Sequence, residues 1–391
     1  MKLRDVVTLV RGNTYKSSLI SENNGPVLLG LGSIERDGGF RHGSLKRYPG
    51  PSDQRILLHP GDLYVSLKDL TQSCNLLGAV ARVPEEVTEG RLTQDTVKLE
   101  FINGATDRDK AYVYWSLRSP QYRNYCKSMG TGTTNVSLSR DDFLNWGLPE
   151  ESQANNLIID LLELIEDQIS VNSRINGYLG ELIDALFRRK FLQSIDDSWT
   201  KATLLDIANY KNGLAMQKFR PEGDDTGLPV LKIKELGQGR CAADAERCKS
   251  DIDESVHVHD GDLIFSWSGT LLLDFWAGGD AGLNQHLFKV TSDKYDPWFY
   301  YLWTNYHMRK FTALAKDRAT TMGHIKRSAL AEAEVFLPDT GCMRELGAIF
   351  EPLINQMIST KLESQKLEEL RDILLPKLMS GEINTSGTAM L

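Results

Sequence analysis

The sequence predicts an α+β protein: two tandem domains of similar fold, each followed by a long helix, with the two helices packed on one another as a coiled coil. Three observations carry this. First, the chain repeats itself at half-length. Leu3, Asp5, Val6 and Gly12 recur as Leu204, Asp206, Ile207 and Gly213, and His59-Pro60-Gly61-Asp62-Leu63 recurs as His259-Asp260-Gly261-Asp262-Leu263. Leu92, Gln94 and Lys98 return as Leu283, Gln285 and Lys289, Tyr112–Trp115 as Tyr300–Trp303, and Leu148-Pro149 as Leu337-Pro338. A period of about 190 residues is too long for a solenoid unit and means two domains, each able to bury its own core. Second, each half reads as short β-prone runs broken by turns. Third, each copy closes in a stripe of helical period. At 391 residues the length alone favours two or three domains.

The elements follow in order. Pro26-Val27-Leu28-Leu29 and Pro229-Val230-Leu231-Lys232-Ile233 are strand-like runs after glycine-containing loops. Gly61–Ser66 and Gly261–Ser266 share one form, a Gly-Asp turn opening a β-prone run. Short helices are expected over Ala111–Leu117 and Pro297–Lys310. Polar loops close the halves, Met129–Val136 in one and Ala319–Ile325 in the other, and Pro149 and Pro338 then precede the long helices. In the first helix Ile158, Leu161, Ile165, Gln168, Asn172, Ile175, Leu179, Leu182 and Leu186 alternate spacings of three and four, a coiled-coil stripe with a polar middle. In the second, Leu346, Phe350, Leu353, Ile354 and Ile358 lead, and Leu367, Leu370 and Leu374 follow after a one-residue slip, with Pro376 and Gly381 expected to end it. A rod of about 35 residues and about 50 Å cannot hide its stripe in a small domain, so the two helices are expected to pair. A long core helix of an unrelated α/β fold is the alternative, disfavoured because the stripe recurs at the same place in both copies. The boundaries expected are 1–150 and 198–341 for the domains and 151–197 and 342–391 for the helical regions.

Composition is that of an ordinary soluble protein, 41% hydrophobic and 25% charged. No apolar run reaches the roughly 18 residues of a membrane span, and the N-terminus lacks a secretory apolar stretch. Five scattered cysteines without a C-x-x-C pair fit a reduced, cytoplasmic setting. The net charge of −8 at first argues against a nucleic-acid partner. Residues 1–150 carry 19 basic and 17 acidic side chains, however, and residues 198–341 carry 17 and 20. Most of the acidic surplus therefore sits in the helical regions, and a basic face on either domain stays open.

Motifs for chemistry are missing: no phosphate-binding loop, no dinucleotide fingerprint and no nucleophile elbow, so no cofactor and no catalytic residue is expected. Asp296-Pro297-Trp298-Phe299 is similar to the acidic/Asn-Pro-Pro-aromatic signature of amino-methyltransferases, but lacks its second proline and an upstream glycine-rich loop. His257 and His259 have no further ligands at metal spacing in the sequence, and because His59 recurs at His259, a structural turn role is expected. What remains is a binder. Reading bases needs paired donors and acceptors on loops, and holding phosphates needs Lys, Arg, Ser, Thr and backbone N–H groups. The candidates are Thr14, Lys16 and Ser17; Lys68, Thr71 and Gln72; and Thr133, Thr134, Asn135 and Arg140 in the first copy. In the second they are Gln217, Lys218 and Arg220; Ser268 and Thr270; and Thr321, His324, Lys326 and Arg327.

Taken together the chain resembles the specificity subunit of Type I restriction–modification systems. The resemblance rests on Leu179–Phe187 closing the first helix, Leu374–Ile383 closing the second, the Gly-Asp-Leu strand entries and Gly132-Thr133-Thr134, from which the second copy departs at Thr321-Met322-Gly323. It implies two target-recognition domains, each reading one half of a split, asymmetric site in double-stranded DNA. It further implies antiparallel helices that set the spacing and dock methyltransferase subunits, with restriction subunits joining through that complex, and no catalysis by the chain itself. Other readings are a DNA-binding or scaffold protein unconnected with methylation, or a degenerate DNA methyltransferase or nuclease.

Overall fold

The computed structural model of the chain describes residues 1–43, 45–70, 73–102, 104–132, 135–150, 152–196, 198–317 and 325–380. Its strands are short because turn residues interrupt the apolar runs every few positions. The first half contains β1 (Val7–Arg11), β2 (Val27–Leu29), β3 (Leu57–Leu58), β4 (Leu63–Ser66), β5 (Lys68–Asp69), β6 (Val80–Arg82), β7 (Gly90–Leu92) and β8 (Thr96–Phe101). Helices α1 (Asp107–Ser116) and α2 (Pro120–Met129), strand β9 (Val136–Ser137) and helix α3 (Arg140–Leu144) follow, then the long α4 (Gln153–Phe187). Thr106, Ser119 and Ser139 each cap the helix after them by accepting a backbone N–H, which is why the helices start there.

The second half repeats the plan with β10 (Thr200–Thr203), α5 (Leu204–Ile207), β11 (Asn209–Asn212), β12 (Leu228–Leu231), α6 (Ile233–Gln238), β13 (Arg247–Cys248) and β14 (His257–Val258). It continues with β15 (Leu263–Ser266), β16 (Leu273–Phe275), β17 (Ala281–Leu283), β18 (Leu287–Thr291), α7 (Pro297–Asp317), α8 (Arg327–Ala331), β19 (Glu334–Leu337) and α9 (Thr340–Ser380). The antiparallel sheet β1-β8-β4-β6 of the first half has its counterpart in β11-β18-β15-β16. The sheet β2-β7-β3, with β2 and β7 parallel, has its counterpart in β12-β17-β14, with β12 and β17 parallel. The central strands lack polar alternation because both faces are covered: Leu63 and Val65 of β4 join one core while Tyr64 joins another. Leu263 and Phe265 of β15 likewise separate from Ile264.

The repeated Gly-Asp turn has a physical cause. Asp62 accepts the His59 backbone N–H at 3.0 Å and pairs with Lys98 at 2.9 Å. Asp262 accepts that of His259 at 2.8 Å and pairs with Lys289 at 2.8 Å. Gly61 and Gly261, at φ 84° and 88°, occupy the left-handed position the turn requires. Asp296-Pro297-Trp298 is the start of α7, where Trp298 is buried and stacks on Phe350 at 5.7 Å. That helix runs seven residues beyond the expected end at Lys310.

The chain divides into two compact units, one of Met1–Asp167 with the end of the chain from Glu369, the other of Gln168–Glu368, so both boundaries fall inside the long helices. In the first unit Ile158, Ile159 and Leu162 of α4 share a core with Leu375 and Leu378 of α9. In the second, Ile183 and Phe187 of α4 meet Leu346, Phe350, Ile354 and Met357 of α9. The two helices run antiparallel within each unit. Glu166 faces Arg371, and further along Asn172 donates to Glu363 at 3.0 Å while Thr360 donates to Asn176 at 2.6 Å. The polar middle of the stripe is thus a hydrogen-bonded layer, the condition under which a buried asparagine is tolerated.

Two expectations are corrected. The buried seam of α4 is Ile158, Leu162, Ile165, Asn172, Ile183 and Phe187, whereas Leu161, Gln168 and Leu182 of the expected stripe are exposed. The cause is that α4 has two apolar stripes. The second, Leu157, Leu161, Leu164, Val171, Tyr178 and Leu182, keeps heptad-like spacing and is 39–65% exposed. Pro376 does not end α9, which continues to Ser380. A proline removes one helical hydrogen bond, and the buried Leu375 and Leu378 on either side hold the turn in place. Gly381 and the residues after it lie outside the described part.

In the first unit an ion cluster fixes α4 to the sheet. Arg82 makes a bidentate pair with Glu163 at 2.8 Å, and Arg118 donates to Glu166 at 3.1 Å. Burial pushes the Glu166 carboxyl up, but Arg118, Arg371 and Arg82 together prevail and hold it below its ordinary range.

Candidate nucleic-acid interface

Antiparallel order decides which loops meet. In the sheet β1-β8-β4-β6, Arg11 pairs with Val97 and Ser66 with Thr96, so β1 and β4 end where β8 begins. The loop after Gly12, the segment after Ser66 and the turn 93–95 therefore lie at one end of the sheet. A fourth segment joins them because β5 pairs with β9 and Leu138 donates its N–H to the Leu67 carbonyl at 2.9 Å. The second unit repeats this. Asn212 pairs with Phe288, Ser266 pairs with Leu287, and Ile325 donates to the Trp267 carbonyl at 2.9 Å. Gly12 and Gly213 recur because the chain leaves the strand against the neighbouring turn. A Cβ there would stand 2.0 Å from the Thr93 carbonyl oxygen or 2.3 Å from those of Leu283 and Asn284.

In the first unit Thr14, Lys16 and Ser17 are exposed on a loop held from beneath. Buried Arg91 donates to the Asn13 side chain and, at 3.0 Å, to the Thr14 carbonyl, with its guanidinium 4.9 Å from the Tyr48 ring. Lys68 is half-buried and paired with Asp95 at 3.0 Å, so its ammonium is steered over the turn 93–95. Asn135 and Arg140 are exposed. Thr71, Gln72, Thr133 and Thr134 lie outside the described residues.

In the second unit Met216 is buried and anchors a single 3-10 turn, which leaves Gln217 and Lys218 exposed. Arg220 pairs with Glu246 at 2.8 Å, a carboxylate that Lys232 also contacts and, by that hydrogen bond first, keeps below its ordinary range. Thr270 is exposed, but Ser268 is buried and does not present its side chain to a ligand. The turn is closed on itself, with the Ser266 hydroxyl donating to the carbonyls of Ser268 and Thr270 at 3.1 and 2.8 Å. Lys326 and Arg327 are exposed next to Ile325. Thr321 and His324 lie outside the described residues.

Several residues of these loops escaped the sequence reading. Exposed Gln94 and half-buried Gln285 and His286 occupy the turn between the other loops, and Trp267 donates from its indole to Asn212 at 3.0 Å beside the His286 ring. The signal was present, since Gln94 and Gln285 align in the repeat, but a turn entering a strand gives no mark of standing beside loops distant in sequence. Chemically, each unit offers amides, hydroxyls and cationic groups on one end of a rigid sheet, the second unit adding the Trp267 indole, and among the described residues of that end no nucleophile–base pair is assembled. No described helix is long and apolar enough to cross a membrane.

Comparison with known proteins gives a consistent picture. Residues 196–371 match the family described as the Type I restriction modification DNA specificity domain. The chain is 26% identical over 185 residues to the Type I restriction enzyme EcoBI specificity subunit of Escherichia coli, covering 47% of this chain but only 37% of that protein. It is 20% identical over 306 residues to the MjaIX specificity subunit of Methanocaldococcus jannaschii, covering 70% of this chain and 68% of that one. Among solved structures, the S subunit of a Type I restriction–modification system from M. genitalium shares the fold, with a TM-score of 0.57 at 14% identity over 97% of this chain and 95% of that one.

Proposed function

We propose that the chain belongs to the Type I restriction–modification DNA specificity family, whose model matches residues 196–371, and that it is the specificity subunit of such a complex. Residues 1–150 and 198–341 are its two recognition domains, and 151–197 and 342–391 its helical spacers. Each domain reads one half of a split site in double-stranded DNA. The observation that carries this is the repeated loop cluster: one strand order, used twice, gathers four segments at the end of a sheet, with different side chains in each copy. A reader of an asymmetric site needs that combination, because a common scaffold sets the approach while the loops set the bases.

The roles follow from exposure. Gln217, Asn135 and Gln94 are amides able to make paired hydrogen bonds to a base edge, while Lys16, Ser17, Lys218, Lys326 and Arg327 supply phosphate contacts. Lys68 and Arg220, each already paired with a carboxylate, position their loops and reach DNA only if those pairs rearrange. The exposed apolar stripe of α4, with Leu370 and Ile373 of α9, supports docking of methyltransferase subunits by helix packing, since a monomer rarely leaves such a row uncovered. Restriction subunits join through that complex, and the chain itself performs no chemistry.

The test is reconstitution. The chain co-expressed with the methyltransferase subunit of its host should co-purify with it, and the complex should transfer labelled methyl groups to DNA. The homogeneous chain alone should transfer none. Transfer by the chain alone, or failure of every methyltransferase subunit to co-purify, overturns the reading.

A further inference from the structure

One cluster of side chains lies at the end of the sheet opposite the proposed recognition loops. Glu254 opens a 3-10 turn that leads into β14, which begins at His257, and His259 follows at the entry to β15. That entry is the end of the sheet away from the recognition loops. The Glu254 carboxylate stands 3.0 Å from Nε2 of His259 and 3.9 Å from Nδ1 of His257, and the two imidazoles face each other with centroids 4.2 Å apart. On the opposite edges of both rings lies Asp280, brought from just before β17. It is 2.8 Å from Nδ1 of His259 and 3.9 Å from Nε2 of His257. That Nε2 is buried and has no hydrogen-bond partner. The expectation that the histidine pair lacks further ligands is therefore corrected: Glu254 belongs to the same short segment, and Asp280 arrives through the fold.

We propose that Glu254, His257 and His259 bind a divalent transition-metal ion of the zinc type, with Asp280 as the outer carboxylate that orients both rings. Ligands about 2.0–2.1 Å from a tetrahedral ion lie about 3.3 Å apart, and the observed separations of 3.0 and 3.9 Å bracket that spacing. The donor atoms of the three residues all lie within 4.8 Å of one another. Two neutral imidazoles and a carboxylate suit zinc among first-row dications, and three protein ligands leave a position for water. Histidines that bind metal generally donate their other ring N–H to a carboxylate; Asp280 meets that nitrogen of His259 at 2.8 Å and stands 3.9 Å from that of His257, which a small turn of the ring would bring into reach. Two carboxylates also balance the charge of one dication.

The fold alone does not require these residues. The first unit builds the same 3-10 turn at Gln54–Ile56, the same strand at Leu57–Leu58 and the same turn at His59 without this set of ligands. Gln54 and Leu57 stand where the second unit has Glu254 and His257. The ion thus belongs to one domain only, and it would tie the entry of β15 to the neighbouring sheet.

The experiment uses the full chain, stripped with chelator and titrated with Zn2+ by calorimetry and native mass spectrometry. The wild type should take up one more equivalent than E254Q/H257L, which carries the residues of the first unit at those positions, and only the wild type should gain thermal stability from that equivalent. Equal stoichiometry overturns the proposal. If the double variant fails to fold, X-ray absorption at the zinc edge of the loaded wild type decides. A first shell of two imidazoles with carboxylate and water oxygen supports the site, and a sulfur-dominated or histidine-free shell overturns it.

Discussion

Gly213→Ala tests whether the recognition loops depend on the close packing beneath them. The added Cβ would stand 2.3 Å from two backbone carbonyl oxygens, those of Leu283 and Asn284. Ordinary contact begins near 3.4 Å, so strand end and turn must separate by about 1 Å, and neither obstacle is a flexible side chain. Two hydrogen bonds span that gap, Gly213 N–H to the Leu287 carbonyl and Leu214 N–H to the Leu283 carbonyl, both at 3.0 Å. Overpacking costs about 1–3 kcal/mol, and weakening a buried hydrogen bond adds about 1 kcal/mol, so about 2–4 kcal/mol is expected. Hydrogen exchange resolved by mass spectrometry reads this locally. Peptides covering 209–220 and 283–291 should lose protection while the first unit is unchanged, and DNA affinity of the reconstituted complex should fall through one half-site. Gly12→Ala, facing the Thr93 carbonyl oxygen at 2.0 Å, should do the mirror experiment in the first unit. Unchanged exchange and unchanged binding in both variants would refute the packing argument.

Other predictions follow from single contacts. Arg118→Met leaves the half-buried Glu166 short of its nearest cation and should destabilise the first unit by about 1–3 kcal/mol at pH 7, read by urea unfolding and by exchange in 107–129. Because Glu166 is held below its ordinary range, its contribution is present above the unfolded-state value near 4.3 and is lost as pH falls through the lower folded value. The deficit of the variant should therefore hold from pH 7 to about 5 and narrow as pH falls below about 4.3, and a deficit that stays constant down to about pH 3 would contradict the assignment. Gly177→Ala lies within α4 with nothing within 4 Å of the new Cβ, and should raise stability by about 0.5–1 kcal/mol in thermal unfolding; a loss would show a contact there that the structure lacks.

Much of the architecture was legible because the repeat carried it. The Gly-Asp turn, the strand after it and the lysine that pairs with the aspartate sit at matching positions in both copies, and each proved to be one ion-paired turn. The helices were legible from their period, but not which stripe faces inward. Leu161 and Leu182 satisfy the same three-four spacing as Leu162 and Ile183, and periodicity cannot rank two adjoining stripes of equal hydrophobicity. Pro376 misled because a proline's local cost is visible in sequence, whereas the packing of Leu375 and Leu378 that offsets it is not. At the loops, residue chemistry was readable but pairing was not. Ser268 turns inward, and Arg220 and Lys68 are engaged by Glu246 and Asp95, partners distant in sequence. The Glu254–His257–His259 group shows the same limit, since Asp280 joins it only through the meeting of two strands.

The central claim is that two independent readers share one chain, and exchange of residues 1–150 tests it most directly. The segment is replaced by the corresponding segment of a relative with different loops. The hybrid is expressed with the host methyltransferase subunit, and methylated positions are mapped across the genome by methylation-sensitive sequencing. The account predicts a split site in which one half changes and the other keeps its original sequence. Alteration of both halves, or of neither, with methylation intact, would contradict it.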